Sequence, residues 1–457
     1  MDIQQRIRTK THYEKRDIQT VARVAWPSAL ESFFVALAGL VDSYMVSNLG
    51  SVAVAAVGLT SQPKFVGLAA FVALKIAISA LVARRYGEGD RKTANSILVM
   101  GLIFTLVGSA VISAVCVAFA EPIMWFVGAS EDTHQDSVIY FRIIMGGMIF
   151  NTVQMTINAA LRGMGNTKIA MRTNVTANVV NIIGNYLLIE GHLGFPALGI
   201  AGAAIATVFG TVVACVMSIV SVCRRDNFVS MVYIIKNKIG FCRDQIGAMG
   251  KLVGSEFVEQ LLVRVGFMLT AMLAANLGTA PFAAHQIGMN FMSVSFAFGD
   301  GLSVAAVALI GKSLGEKKPE QAKMYGNICQ RFALVISVIL AVFYLLGGRP
   351  LFSLFFEEQE IIEYGVQITR VMAIVTMLQT SHTVYNGSLR GAGDVVYVMI
   401  ISTLAITVFR PITAYLASYV LELGIVGIWW GVVADHGTRL TFGYLRYRAG
   451  KWTKIKI

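Results

Sequence analysis

Charge is scarce in this chain. Only 14% of its 457 residues are Asp, Glu, Lys or Arg, where soluble domains carry about a quarter, and the mean hydropathy is +0.67. That composition excludes an ordinary soluble domain and predicts an all-α integral membrane protein. Acids are the scarcer sign, with 26 Asp and Glu against 38 Lys and Arg. The resulting +12 does not point to a nucleic-acid partner, because the basic residues are scattered in short loops between apolar runs. Cysteine is rare as well. Cys116, Cys215, Cys223, Cys242 and Cys329 form no C-x-x-C and have no His at metal-ligand spacing, which predicts mostly buried free thiols. H-x-E, H-E-x-x-H, Walker sequences and aspartate-rich pairs are all missing, so no enzyme, no cofactor and no ATP-driven step is expected. The polar first 20 residues lack the apolar core and cleavage site of a signal peptide.

What the chain has in abundance is long apolar runs. They predict membrane helices near 22–47, 52–83, 94–119, 136–160, 169–189 and 196–222, then 247–276, 281–311, 327–347, 361–388, 396–419 and 424–445. The two sets of six are copies. Asn48-Leu49-Gly50 returns as Asn276-Leu277-Gly278, an offset of 228 that also relates Glu31 to Glu259, Gly87-Glu88 to Gly315-Glu316, Asn158 to Asn386, and Arg162-Gly163 to Arg390-Gly391. Leu198-Gly199-Ile200 against Leu423-Gly424-Ile425 continues the register with a three-residue deletion. Residues 1–223 and 247–457 are therefore expected to form two six-helix lobes joined by a basic linker, 224–246. Because six is even, both lobes enter the membrane with the same orientation, as a parallel repeat about an axis along the membrane normal.

Lys and Arg fix the expected orientation. Arg6, Arg8 and Lys10, Arg84 and Arg85, Arg162 and Lys168, Lys236 and Lys238, Lys312 and Lys317, and Arg446 and Arg448 fall on one side. The alternate loops hold mainly acids such as Glu131, Asp132, Glu357 and Glu358, with Arg349 the clear exception. The positive-inside rule places both termini in the cytoplasm, with the linker basic enough to lie on an anionic lipid surface.

Polar residues inside the runs are the candidate functional groups, since an acid deep in a membrane helix costs on the order of 2 to 3 kcal/mol. Asp42 lies in the outer half of helix 1. Helix 5 carries Asn174, Asn178, Asn181 and Asn185 at spacings that put all four amides on one face, the last two at about the depth of Asp42. A carboxylate with amide oxygens suits a small hard cation, and a carboxyl in a partly dry pocket suits a proton; the stripe read alone is also consistent with an amide ladder between helices. In the second copy Asp42, Asn181 and Asn185 become Thr270, Phe409 and Thr413, so acid and amides are lost together. A second group, Glu31, Lys75, Glu256, Glu259, Arg264 and Asp300, is placed to meet across the midline as an inner gate or to form structural ion pairs. A third, Arg410 with Asp435 and His436, reads as a satisfied pair within the second lobe. Met pairs such as Met145 and Met148, Met268 and Met272, and Met289 and Met292 suit a cavity that repacks around varied ligands, or ordinary bundle filler.

The stretch Pro27 to Val41-Asp42-Ser43, the loop Ala83-Arg84-Arg85-Tyr86-Gly87-Glu88-Gly89-Asp90, the turns Leu161-Arg162-Gly163-Met164-Gly165-Asn166 and Leu389-Arg390-Gly391-Ala392-Gly393-Asp394, and Ala283-Ala284-His285-Gln286-Ile287 together resemble the multidrug and toxic compound extrusion (MATE) transporters over nearly the whole chain. The resemblance implies a V-shaped cavity between two lobes and export of cationic or amphipathic organic compounds in exchange for inward Na⁺ or H⁺. It implies that Asp42 is the coupling acid, that Asn181 matches the family's helix-5 Asn, and that Na⁺, if it couples, is transported at Asp42; no other metal is expected. Asn185 stands where some members carry an Asp. Glu256 and Glu259 come too early in helix 7 to match the branch with a Glu further along, and the region near Val263 is apolar, so the chain is similar to the branch whose coupling site is in the N-terminal lobe. Binding at Asp42 would let helix 1 bend near Pro27 and the lobes rock between outward and inward access. The implied partners are a small organic cation, H⁺ or Na⁺ and the lipid of the plasma membrane, with the protein acting as a monomer. The alternative reading within membrane transport is a flippase for a lipid-linked substrate, which requires a strongly cationic central cavity. A non-transporting scaffold would leave Asp42 and the amide stripe as costly decoration.

Overall fold

The computed structural model describes residues 15–224 and 227–455, apart from the side chains of Leu40 and Ser51. Arg6, Arg8 and Lys10 lie outside the described residues. Twelve spans follow one another as two lobes of six. They are α1 (Lys15–Ser47), α2 (Ser51–Glu88), α3 (Arg91–Ala118), α4 (Glu131–Gly146 and Met148–Gly163, bent by 43°), α5 (Thr167–Leu188) and α6 (Gly199–Val222). The second set is α7 (Ile246–Ala275), α8 (Thr279–Gly315), α9 (Pro319–Ser353), α10 (Gln359–Gly391), α11 (Val395–Val420) and α12 (Ile425–Ala449). Among the described residues nine of these are individually long and apolar enough to cross a membrane, and bent α4 makes a tenth. The other two, α5 and α12, are as long as a span needs, at 22 and 25 residues. They carry the Asn stripe and the Asp435-His436-Arg439 group, polar residues that face protein rather than lipid.

Helix starts repeat with the sequence. Gly50 before α2 and Gly278 before α8 share an unusual backbone, φ 101° and 116°, that L side chains rarely adopt. The helices run several residues beyond the apolar stretches, α1 and α9 by a full turn or more, because their polar ends continue into water. Two segments of α11, Ala405–Phe409 and Leu416–Val420, are π-helical. The first precedes Pro411, whose ring removes an N–H and crowds the carbonyl one turn back, so the backbone loosens there.

Two cores are shared between the lobes: Met249, Leu252 and Val395 of the second lobe enter the first core, and Val21, Val24 and Ala25 of α1 enter the second. In the first, Ile78, Leu81 and Val82 of α2 pack on Ile97 and Leu98 of α3 and Ile157 and Leu161 of α4. Val229, Ile234 and Ile239 of the connecting segment join this core, and Arg91 and Asn95 of α3 both donate to the Phe228 carbonyl, at 3.0 and 2.9 Å. The connection is thus pinned to the first lobe. The third helix of each copy turns an apolar stripe outward at matching positions, Val107, Val111 and Val115 on α3 and Val335, Ile339 and Phe343 on α9, all at least half exposed. Such stripes belong against lipid.

The lobes meet through α1 and α2 of the first and α7 and α8 of the second. At the basic end the contact is backbone on backbone. A Cβ on Gly87 would strike the Lys312 carbonyl oxygen, and one on Gly315 would strike the Arg84 carbonyl oxygen. Both members of this exchange obey the 228 offset, so the two Gly-Glu motifs clasp each other about the repeat axis. Further along, Phe33 packs on Phe298, with ring centroids 6.2 Å apart, and the Arg264 guanidinium lies 3.3 Å from the centroid of the Phe65 ring. Beyond these contacts the lobes diverge around a cleft of about 500 Å³, lined by Ala36, Gly39, Ser43 and Tyr44 of α1, Asn290 and Ser293 of α8, and Phe355.

Candidate functional site

One face of α1 lines the cleft and another looks into the first lobe. Asp42 lies on the second face, where the Asn185 side-chain amide of α5 donates to its Oδ1. The other end of that amide, Asn185 Oδ1, is buried without a partner. Lys64 of α2 is within electrostatic reach of Asp42 and has no hydrogen-bond partner among the described residues. Tyr140 of α4 also faces Asp42 and abuts Thr207 of α6. Next to this group is a cavity of about 180 Å³ whose polar wall is Lys64, Asn151, Thr207 and Thr211 and whose apolar wall includes Met145 and Met148.

The Asn stripe is divided between two neighbours. Asn174 donates to Glu31, Asn178 to the Phe34 carbonyl at 3.4 Å and Asn185 to Asp42, all on α1, whereas Asn181 turns to Thr207 on α6 at 3.0 Å. Asn181 therefore reaches Asp42's surroundings only through Thr207, because the stripe drifts around the helix and its third member falls toward α6.

Sequence reasoning overlooked Lys64. Its signal was present, a Lys inside the second apolar run, directly after Pro63. The repeat strengthens it. In the second lobe the equivalents of Asp42, Lys64, Tyr140 and Asn181 are Thr270, Met292, Ile368 and Phe409, and Thr207 maps to Val432 after the deletion. Met292, Ile368 and Val432 belong to that lobe's apolar core, and the Thr270 hydroxyl closes on its own helix at the Gly266 carbonyl, 2.9 Å away. The same place in the fold is polar in one lobe and apolar in the other.

The inner group is organised differently from the expected cross-midline pairing. Glu31 bonds Arg162 and Asn174 within the first lobe, and Arg390 grips Glu256 at 2.7 Å and Glu259 at 2.8 Å within the second. Arg162, counted from sequence among the loop charges, points inward, as does Arg390. The Glu31–Arg162 and Glu259–Arg390 pairs are repeat copies of one ion pair. What spans the midline is Lys75 with Asp300: Lys75 interacts with Asp300, Glu31 and Arg162, and Asp300 with Lys75 and Arg390. Asp300 keeps an exposed side chain.

Arg410 and Asp435 do meet, at 3.5 Å, in a larger buried network. Arg439 lies 2.7 Å from the other Asp435 oxygen, and His382 of α10 shares a 2.8 Å hydrogen bond with His436. The five cysteines are free, and no cluster of metal-ligating side chains occurs among the described residues.

Comparison with known proteins gives a consistent likeness. Residues 27–187 and 257–416 each match the family model MatE, one match per copy. A probable multidrug resistance protein NorM from Thermotoga maritima is 25% identical, with 98% of this chain and 97% of that one aligned. An uncharacterized transporter, YisQ, from Bacillus subtilis is 26% identical over 94% of each. Among solved structures, an outward-facing multidrug resistance MATE family transporter of the MOP superfamily superposes with a TM-score of 0.87 at 22% identity, covering 95% of this chain and 97% of that one. A MATE in a bent conformation gives 0.85 at 21% identity, covering 96% and 99%.

Proposed function

The chain belongs to the MatE family of membrane transporters, and from that membership we propose that it is a secondary antiporter exporting cationic or amphipathic organic compounds in exchange for inward H⁺ or Na⁺. The relatives' names, multidrug resistance proteins among them, support this cargo class. The observation that carries the reading is the polar core around Asp42, present in the first lobe and replaced by apolar packing in the second. A carboxylate that α1 holds against α5 while its other face lines the cleft is placed to tie ion binding to the shape of the cavity. Adding a proton or cation there changes the cost of burying the charge, and a ligand shifts the equilibrium between states only by such differential affinity. The cleft's seven lining residues include no Lys or Arg, which suits a cation better than the diphosphate of a lipid-linked sugar.

In this reading the lobes are 1–223 and 247–457, the basic end faces the cytoplasm and the cleft opens outward from the plasma membrane of the cell. Lys75 and Asp300, flanked by the Glu31–Arg162 and Glu259–Arg390 pairs, form the inner gate, and the Gly87–Gly315 clasp seals it. Asp42 and Asn185 make up the ion site, with Asn178 and Asn181 holding α5 against α1 and α6 around it, placing the chain in the branch that couples in the N-terminal lobe, and the transporter works as a monomer. The test is export of a fluorescent organic cation from proteoliposomes under separate pH and Na⁺ gradients. Wild type should respond to at least one gradient, and Asp42→Asn should bind the dye yet respond to neither. Export by Asp42→Asn at the wild-type rate would remove Asp42 from the mechanism.

A further inference from the structure

We propose that Lys64 selects the coupling ion: its ammonium, on the wall of the cavity next to Asp42, opposes a metal cation at that carboxylate, so the first lobe exchanges protons and rejects Na⁺. The inference rests on the reading of Asp42 as the coupling acid and adds the residue that decides which ion it takes.

The groups facing Asp42 come from every neighbouring helix. Lys64 approaches from α2, the Tyr140 hydroxyl from α4 and the Asn185 amide from α5, while α6 contributes only the neutral Thr207 beyond Tyr140. Lys64 in turn has Asp42 as its one charged neighbour. Their charges offset each other inside the lobe, without a direct ion pair between α1 and α2.

A hard metal cation requires several oxygen ligands converging at short range. This site is built mainly of donors: the Asn185 amide N–H already occupies Asp42 Oδ1, the Asn181 amide is spent on Thr207, and Lys64 brings three ammonium hydrogens. The oxygens left over are the second carboxylate oxygen of Asp42, the buried, unpartnered Asn185 Oδ1 and the Tyr140 hydroxyl. So few oxygens, with an ammonium nearby, fall short of a Na⁺ shell, yet they suit a proton. A proton taken up on Asp42 Oδ2 makes one new O–H bond and breaks none. That O–H can donate to Asn185 Oδ1 while the amide N–H keeps its bond to Oδ1, so acid and amide share two hydrogen bonds and the orphaned oxygen is satisfied. Lys64 stays charged and loses its counter-ion. The adjoining cavity offers it the oxygens of Asn151, Thr207 and Thr211. One proton thus removes the attraction that draws α1 toward α2 here.

The repeat points the same way. Lys64 is lost together with Asp42 in the second lobe, as Met292 and Thr270. A lysine serving only the packing of α2 would have no reason to follow the acid.

The experiment compares wild type, Lys64→Gln, Lys64→Arg and Asp42→Asn in the same proteoliposomes, with ²²Na⁺ binding to the purified proteins as a readout independent of transport. Wild type and Lys64→Arg should export the dye under a pH gradient, ignore a Na⁺ gradient and bind no ²²Na⁺. Lys64→Gln removes the charge and adds an amide oxygen, so it should bind ²²Na⁺ and respond to a Na⁺ gradient at least about tenfold more strongly than wild type. Wild type driven equally by Na⁺, or Lys64→Gln that binds the dye but stays indifferent to Na⁺, overturns the role of Lys64 while Asp42→Asn still fails to export. Export by Asp42→Asn at the wild-type rate overturns the antiport reading instead.

Discussion

A single methyl group should break the seal at the basic end. A Cβ on Gly87 meets the Lys312 carbonyl oxygen and one on Gly315 meets the Arg84 carbonyl oxygen, and both obstacles are helix backbone that cannot rotate away. Gly87→Ala must therefore push α2 and α8 apart by about 1 Å at their tightest approach. Overpacking of this kind costs about 1 to 3 kcal/mol. The contact exists only while this end is closed, so the whole cost falls on the closed state and shifts the equilibrium by about 5- to 150-fold. A basic-end-open state populated at about 1% would rise to between about 5 and 60%. Spin labels at Lys92 and Glu320, exposed mates in the first turns of α3 and α9, report this directly once the native cysteines are replaced. The parent should give one short distance, Gly87→Ala or Gly315→Ala a second and longer one, and the double variant more of it, since the costs add. Gly254→Ala, whose Cβ meets nothing within 4 Å, should match the parent. A double variant with the parent's single distance would refute the clasp.

Arg390→Met leaves Glu256 and Glu259 buried without their counter-charge, at a cost of about 3 to 5 kcal/mol; thermal unfolding in detergent should show the loss, and adding Glu256→Gln and Glu259→Gln should recover most of it. Asn185→Leu removes a hydrogen bond to a charged group, about 1.5 to 3 kcal/mol, so the ion concentration for half-maximal export should move by about ten- to a hundredfold. Asn181→Leu, bonded to Thr207 instead, should move it by less than about threefold. His382→Phe strands the His436 ring nitrogen at about 1 to 3 kcal/mol, whereas His382→Phe with His436→Phe should cost less than the two single changes added, again read by unfolding.

The twelve spans and their duplication were legible because lipid imposes one rule on every residue of a run, and a duplicated chain writes that rule twice. Asp42 was legible for the opposite reason, as a residue that breaks the rule. The partners of the inner glutamates were not. Arg162 and Arg390 sit at helix ends, where a basic residue reads as topology, and only the fold shows them reaching back into the bundle. Asn181 and Asn185 looked equivalent on a helical wheel, yet α5 lies between α1 and α6, and a small rotation sends one amide to each. Lys64 was hidden by company, since the polar residues around Pro63 read as a dip in hydropathy rather than as a single charge.

The apolar filling of the second lobe at the place of Asp42 limits what the first can deliver. In the proposed exchange, one carboxylate taking up one proton would return one charge for each monovalent organic cation expelled, so no net charge would move and the membrane voltage would not drive it. Accumulation then depends on acidity alone, and a pH difference of one unit supports a cargo gradient of at most about tenfold. An exchanger of that kind would keep a toxic cation from building up in a cell that acidifies its surroundings, and would be poorly suited to concentrating one against a steep gradient.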